Sequence, residues 1–249
     1  MRQHVLNIDD TAHPHRKSAG HGTHREAIRR PYDRWKRVLD VIGALLLLVL
    51  LAPVMLVVTA VVLVTLGRPV LFRHTRPGLD GKLFDLIKFR SMHPVDPTRG
   101  LVRDEDRLPR IGQWLRASSI DELPELWNVL RGEMSLVGPR PHLVEYLSRY
   151  TPEQARRHEV RPGITGLAQV RGRNALSWED KFRYDVQYVD QRSLRLDLRI
   201  LAETVRVVLR REGISAPGTV TWHEFMGTPE PALVGRPSER SMYSPGRPT

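Results

Sequence analysis

The 249-residue chain contains no cysteine. That excludes disulfides, a thiol nucleophile and any cysteine-ligated zinc site. Aromatic residues make up only 6 %. The basic residues are dispersed among turns rather than gathered with aromatics on one helix, which argues against a nucleic-acid-reading surface. Several enzyme signatures are missing as well: there is no Gly-rich Walker loop, no G-x-G-x-x-G after a strand and no H-E-x-x-H, and the chain has no internal repeat. Acidic residues are in deficit, 28 against 39 Lys and Arg, which gives a formal net charge of +11 and a pI of about 10.6. Such a balance favours anionic partners, whether nucleic acid, acidic lipid or phosphorylated substrate, without choosing among them. The length suits one medium domain with tails, or at most two small domains.

Charge is nearly absent from one long stretch. Val38 to Leu66 holds a single formal charge, Asp40, near its start. As a straight helix this run would extend about 43 Å, more than the ~30 Å of a bilayer's hydrocarbon core, so a membrane-inserted helix is expected. Pro53 falls near its middle, where proline costs about 3 kcal/mol in a helix interior. Each arm is then only about 21 Å long, too short to cross alone. Both flanks are basic: Arg29, Arg30, Arg34, Lys36 and Arg37 precede the run, and Arg68, Arg73 and Arg76 follow it. The positive-inside rule places both on the cytoplasmic side. A helix that enters, bends at Ala52-Pro53 and returns satisfies both facts. A tilted, kinked span is the alternative that the residues alone leave open, since proline is tolerated in spanning helices. The run begins too late for a signal peptide and no small-residue cleavage site follows it closely.

The remainder divides into two tails and a body. Residues 1–35 are polar, with His4, His13, His15, His21 and His24 at no repeating spacing, and read as a disordered tail. Residues 213–249, with six prolines and few apolar residues, read the same way; only Trp222 and Phe225 are candidates to dock. Residues 36–66 are assigned to the membrane helix and 67–212 to a catalytic domain. In that body, Pro69–Phe72 and Leu83–Phe89 read as strands flanking a Gly78–Gly81 turn. Helices are expected at Ser119–Leu130, Pro152–Val160, Ser177–Asp190 and Leu196–Arg211. The last shows a strong helical period, with Leu198, Leu201, Val205, Val208 and Leu209 on one face and Arg195, Arg199, Arg206 and Arg210 off it. It suits either a helix packed on the core or a basic amphipathic helix at a membrane surface.

The densest chemistry lies in Leu115–Leu130 and Gly138-Pro-Arg-Pro141. Asp121 and Glu122 fall in the first turn of the expected helix. Ser119-x-x-Glu122 and Ser118-x-x-Asp121 both spell a capping box, and acids there complement the helix dipole, so capping alone could account for them. The basic residues Lys88, Arg90, Arg116, Arg140 and Arg161 near turns and motifs suggest more. A carboxylate at a helix N-terminus is expected to be held ionised, and the same N–H groups can receive a phosphate. A carboxylate attacking phosphorus needs both conditions, with the phosphate charge neutralised by arginines or a magnesium ion. Side chains of successive helical residues point about 100° apart. One acid could therefore attack while the other holds a metal, whereas a glycosidase pair would have to face each other across the bond. Gly-Pro-Arg-Pro and Arg161-Pro-Gly-Ile-Thr-Gly166 read as turns, or as a rigid rim aiming Arg140 and Arg161 at phosphate.

An ordered set of segments resembles the bacterial sugar transferases, the monotopic polyprenyl-phosphate phosphoglycosyl transferases. They are Lys36-Arg-Val-Leu-Asp40, Ala52-Pro53, Gly67-Arg-Pro-Val-Leu-Phe72, Lys88-Phe-Arg-Ser-Met92, Leu115–Leu130, Met134–Pro141, Arg161–Gln169, Gly172-Arg-Asn174, Asp185–Val189 and Ser193–Asp197. Each is weak alone; the order is specific, and it covers residues 34 to 212.

The resemblance implies a mixed α/β fold with a re-entrant helix-break-helix, a small cytoplasmic catalytic domain and interfacial amphipathic helices, at the inner (plasma) membrane of a bacterium. It implies transfer of a sugar 1-phosphate from a UDP-sugar to polyprenyl (undecaprenyl) phosphate with release of UMP, initiating surface polysaccharide or glycoconjugate assembly. Asp121 matches the nucleophile and Glu122 the acid that helps hold Mg²⁺. Arg116 and Arg161 match basic residues near the phosphates, and Lys88, Arg90 and Arg140 are assigned to the same substrate site. Implied partners are the UDP-sugar, polyprenyl phosphate and membrane lipid, with no nucleic acid and with self-association left open. Two departures stand out: Ala52 where the family often has serine, and His74 where it usually has glutamine. Larger relatives carry an N-terminal bundle of spanning helices; lacking one, the chain is expected to be a compact, catalytically complete member. The alternatives are a membrane-tethered nucleic-acid-binding protein, motivated by the charge, and an inactive membrane scaffold.

Overall fold

The computed structural model of the chain describes residues 31–172, 175–210 and 224–228. Helix α1 (Pro31–Leu66) is followed by the strands β1 (Leu71–Pro77) and β2 (Leu83–Phe89), then by the short helix α2 (Asp104–Arg107) and α3 (Arg110–Ser118). A 3₁₀ turn (Ile120–Glu122) leads into α4 (Glu125–Arg131) and β3 (Ser135–Val137). After the short α5 (Pro152–Ala155) come β4 (Gly163–Thr165), α6 (Leu167–Arg171), α7 (Trp178–Gln191) and α8 (Leu194–Arg210). The fold is thus mixed helix and sheet around one long apolar helix. The proposed tail 1–35 falls outside the described residues as far as residue 30.

Helix α1 begins at Pro31, where a proline suits a first helical position, and runs on through Pro53. The expected helix-break-helix is therefore one continuous helix by its backbone. It is long and apolar enough to cross a membrane, and little of its apolar stretch is buried. Its N-terminal turns are nonetheless tied to the body. Tyr32 Oη and Lys36 Nζ donate to Asp197 at 2.7 and 2.5 Å, Arg192 pairs with Asp33 at 2.8 Å, and Arg37 donates to the carbonyls of Val129 (2.6 Å) and Leu130 (2.9 Å). Asp40, buried, accepts from Ser135 Oγ and from the backbone N–H of Leu136, both at 3.0 Å. Ala44 then packs against Phe84, Leu86, Leu126 and Val129, and Val58, Val62 and Leu66 pack against Phe89 and Leu115. At the far end, Arg90 donates to the carbonyls of Leu66, at 2.8 Å, and Gly67. These are among the C-terminal carbonyls that a helix leaves unsatisfied.

The hairpin pairs Leu71 with Phe89 through Pro77 with Leu83 in antiparallel register. The first strand starts two residues later than expected and continues to Pro77. His74 contacts Arg76 through Nδ1 at 3.1 Å. β3 and β4 form a separate parallel pair, Ser135 with Gly163 and Val137 with Thr165. The core of this half gathers Val137, Val160, Leu167, Tyr188, Val189 and Ile200.

Two local expectations are corrected, and a third, left open between a core-packed and a surface helix, is narrowed. Ser119–Leu130 is not one helix. Ser119 adopts a left-handed φ of 57°, ending α3, and its side chain makes no capping hydrogen bond, while Ser118 Oγ donates back to Trp114 O at 2.9 Å; neither capping box forms. Pro152–Val160 is the short α5 with a true Thr151–Gln154 capping box, then a 3₁₀ turn at Arg156–Glu159. On α8, Leu198 and Val205 are exposed with Leu194, whereas Ile200 and Leu201 pack inward. The helix's rotation follows polar anchors: Asp197 accepts from Tyr188 Oη at 2.8 Å, and Thr204 Oγ1 lies 2.7 Å from Thr165 Oγ1. Periodicity cannot see such anchors.

Part of the C-terminal stretch expected to be disordered, residues 224–228, is docked on the body. Phe225 is 2 % exposed, inserted among Tyr146, Tyr150, Trp178 and Phe182. Arg149 reaches Glu224 at 2.7 Å. Trp222, the other candidate, lies outside the described residues.

Candidate active site

Three short elements converge on the acidic pair. Lys88 projects near the end of β2, the acids follow α3 in the 3₁₀ turn, and Arg140 comes from the loop after β3. Asn128 ties α4, which follows the acidic turn, to β2. Its Oδ1 accepts from the Ile87 N–H at 3.1 Å, and its Nδ2 donates to Asp85 O at 2.7 Å and to Glu133 Oε2 at 2.6 Å. β2 and α4 are thereby locked so that Lys88 stands over the acids.

Lys88 Nζ lies 2.9 Å from Glu122 Oε1 and 3.0 Å from Glu125 Oε1. Arg140 pairs with the same oxygen of Glu122. No hydrogen bond or ion pair from a described residue engages the carboxylate of Asp121, which is 7 % exposed. The environments separate the three acids. Burial opposes the charge on Glu122, but Arg140 and Lys88 outweigh it and hold that carboxyl well below its ordinary value. Burial pushes the carboxyls of Asp121 and Glu125 up, with the Glu122 charge adding to both and Lys88 opposing. Lys88, despite burial, is raised by Glu122 and Glu125. Asp121 does not stand at the N-terminus of a long helix as expected: it sits in a 3₁₀ turn, where burial and then the Glu122 charge raise its carboxyl to about 6.

The basic residues divide. Lys88 and Arg140 contact the acids. Arg116 donates from Nε to Ser91 Oγ at 3.0 Å and acts on Asp121 through its charge. Arg90 and Arg161 are not brought to the carboxylates. Arg90 caps α1, and Arg161 donates to Gly132 O at 2.8 Å. Together with Arg37, Arg161 satisfies the C-terminal carbonyls of α4, about 10 Å along that helix from Glu125.

Glu125 and Arg157 were not singled out from the sequence. Glu125, 2 % exposed, stands three residues after Glu122, the spacing that puts two helical side chains side by side; that was its only signal. Arg157 carries none, because its partner Asp185 is 28 residues away. Their ion pair, at 2.8 Å, is fully buried, and Arg157 also donates to the Arg140 carbonyl at 2.5 Å.

Among the described residues no group of three His, Asp or Glu side chains is arranged to hold a metal. Mg²⁺ needs no such cage, since it keeps several waters and takes one or two carboxylates together with substrate phosphates. Glu125 Oε1, buried with Lys88 Nζ 3.0 Å away, and the neighbouring Glu122 supply hard oxygen donors of that kind.

Gly112 lets α3 approach the end of β2: a Cβ there would fall 1.9 Å from Ser91 O. Gly112→Ala is expected to destabilise by about 1–3 kcal/mol, the usual cost of overpacking. It should lower activity too, because α3 carries Arg116 and sets the start of the acidic turn. An unchanged melting temperature would show that α3 is not held by this contact.

The sequence model of the bacterial sugar transferase family matches residues 31–211. The chain is 53 % identical to the uncharacterized sugar transferase EpsL of Bacillus subtilis over 78 % of its own length and 96 % of that protein. It is 46 % identical to a UDP-glucose:undecaprenyl-phosphate glucose-1-phosphate transferase of Caulobacter vibrioides, over 71 % of this chain and 70 % of the relative. It is 36 % identical to an undecaprenyl-phosphate galactose phosphotransferase of Salmonella typhimurium, over 72 % of this chain and 41 % of the relative.

Proposed function

The chain belongs to the bacterial sugar transferase family and is a transferase, and from that membership we propose that it moves a sugar 1-phosphate from a UDP-sugar to polyprenyl phosphate through an intermediate on Asp121. The relatives named for that type of reaction support the substrates. The observation that carries the nucleophile assignment is the contrast within the cluster: Glu122 and Glu125 are held by Lys88, and Asp121 is left unengaged beside Lys88, Arg140 and Arg116.

In the first step an Asp121 carboxylate oxygen attacks the phosphorus that bears the sugar. The bond from that phosphorus to the bridging oxygen breaks, and UMP leaves with the oxygen. Lys88, Arg140 and Arg116 neutralise the charge that builds on the phosphoryl oxygens. In the second step a phosphate oxygen of the lipid acceptor attacks the same phosphorus. The Asp121–phosphorus bond breaks, giving a polyprenyl diphosphosugar and the free carboxylate. Mg²⁺, held by Glu122 and Glu125 with the diphosphate, would supply further charge neutralisation. Partial desolvation keeps competing water from the acyl phosphate.

The test is exchange of labelled UMP into UDP-sugar without lipid, run across a panel of UDP-sugars. Exchange with at least one donor is expected, and absence of exchange with all of them sinks the two-step reading. Exchange undiminished in a chelator would remove the magnesium ion from the scheme.

The contacts of α1 support a re-entrant placement with the body on the cytoplasmic face. Arg37 binds α4 and Arg90 of the body binds the last carbonyls of α1, while Asn128 ties α4 to the β2 strand that leads into Arg90. A helix crossing ~30 Å of hydrocarbon would put its two ends on opposite sides, where one small body could not hold both. The cysteine-free chain allows a direct measurement. Single cysteines at Arg34 and Arg73 should both react with an impermeant maleimide in inside-out vesicles, and neither in intact spheroplasts. Labelling of one residue from each side would establish a span.

A further inference from the structure

Phe225 lies beyond residue 211, where the match to the family ends, so the segment that carries it is no part of the shared domain. Its contacts are nevertheless those of a fitted piece. The ring meets Phe182 edge-on, with centroids 4.9 Å apart, and stacks on Tyr150 at 5.9 Å. The Phe225 N–H donates to Tyr146 Oη at 3.1 Å, its carbonyl accepts from Arg149 at 2.5 Å, and Thr228 Oγ1 accepts from Gln154 Nε2 at 2.8 Å. Both backbone polar groups of this buried residue are thus satisfied, and by side chains of the body. Without the ring, a pocket lined by large aromatic side chains would stand open to water.

The walls of this pocket lead to the reacting groups. Tyr150 and Phe182 also carry the Arg157 guanidinium, which lies over their rings at 5.6 and 5.7 Å and donates to Tyr150 Oη at 3.0 Å. The same guanidinium donates to the carbonyl of Arg140, whose side chain pairs with Glu122. His142, two residues past Arg140, packs edge-on to Trp178 and Phe182, with centroids 5.1 and 6.0 Å apart. The loop that carries Arg140 is therefore braced through Arg157 and through His142, and both braces rest on rings that Phe225 touches. We propose that Phe225 is a positioning residue: seated in the pocket it fixes this loop, so that the C-terminal segment sets how tightly Arg140 and its neighbours hold the diphosphate of the UDP-sugar. This rests on the transferase reading above and deepens it, adding a control on donor affinity from outside the family domain. Docking and donor binding are then linked, and the linkage is reciprocal: the factor that docking adds to donor affinity, the donor adds to docking.

The first measurement follows amide hydrogen exchange of the wild-type protein in nanodiscs, with and without UDP at a concentration that fully inhibits transfer. The Phe225 amide, bonded to Tyr146, should exchange about tenfold more slowly with UDP bound, within the usual range of such couplings. Exchange that UDP leaves unchanged overturns the proposal. The second measurement takes Phe225→Ala and Phe225→Leu in the full chain. Alanine should raise the KM for the UDP-sugar about tenfold and leucine less, with the KM for polyprenyl phosphate unchanged. A synthetic peptide spanning residues 222–230 should restore the donor KM of Phe225→Ala, and the same peptide with alanine in place of Phe225 should not. An unchanged donor KM sinks the positioning role, as does a loss shared by donor and lipid that the peptide does not restore. A wild type inactive with every donor sinks the transferase reading instead. Should Phe225→Ala fail to fold, the hydrogen exchange of the wild type decides.

Discussion

Asp121→Asn is expected to abolish UMP exchange, by at least ~10⁴-fold as for removal of other enzymic nucleophiles, while making the protein more stable at neutral pH. Burial and then the Glu122 charge raise the Asp121 carboxyl to about 6, against ~3.9 in an unfolded chain. The folded state therefore holds its proton to higher pH than the unfolded state does. The stability from this group is full below pH ~3.9 and is lost as pH rises through about 6. Asparagine has no charge to bury. At pH 7.5 the variant should melt a few degrees above the wild type, and near pH 4 the two should converge. A general structural role predicts the opposite sign. Quenching the wild type after incubation with a donor radiolabelled in the sugar should leave label on the Asp121 peptide, and the variant should carry none. A variant that still exchanges, or a label that maps to Glu122 or Glu125, would remove Asp121 from the first step.

The second large effect is expected far from the reacting atoms. Arg157 is almost wholly buried, with Nε and a terminal nitrogen 3.0 and 2.8 Å from one oxygen of Asp185, another nitrogen 3.0 Å from Tyr150 Oη, and a donated bond to the Arg140 carbonyl. Burial already pushes the Asp185 carboxyl up to about 6 with Arg157 opposing it. Arg157→Met strands that acid. Breaking a buried pair by removing one partner costs roughly 3–5 kcal/mol, a fall in melting temperature on the order of 10 °C for a chain of this size. The Arg140 backbone also loses its donor, so the KM for the UDP-sugar should rise. The double variant Arg157→Met with Asp185→Leu should recover most of the stability, because the uncompensated charge is gone, without recovering the donor KM. A single variant that melts like the wild type would mean that the pair is not buried in solution.

How much of this was legible beforehand depended on sequence distance. The β1–β2 hairpin was marked by its Gly78–Gly81 turn, and α7 and α8 by their periods, because those signals lie within a few residues of the structure they encode. The Ser119–Leu130 stretch misled for the same reason. Its capping-box spelling is local, but Ser119 turns left-handed and Pro124 divides the segment. On α8 the apolar period was real, yet Asp197 and Thr204 turned the helix so that Leu198 and Val205 face outward.

The sequence by itself determined the long uncharged helix, the basic flanks around it, the hairpin and the adjacency of Asp121 to Glu122, since each is a property of contiguous residues. Only the tertiary structure decided which groups meet across the chain. It brought Lys88 between Glu122 and Glu125, sent Arg90 and Arg161 to helix ends, paired Arg157 with Asp185 and seated Phe225 in its aromatic pocket. Those outcomes rest on packing and on satisfying buried polar groups between residues far apart in the chain, and no pattern of neighbouring letters records them.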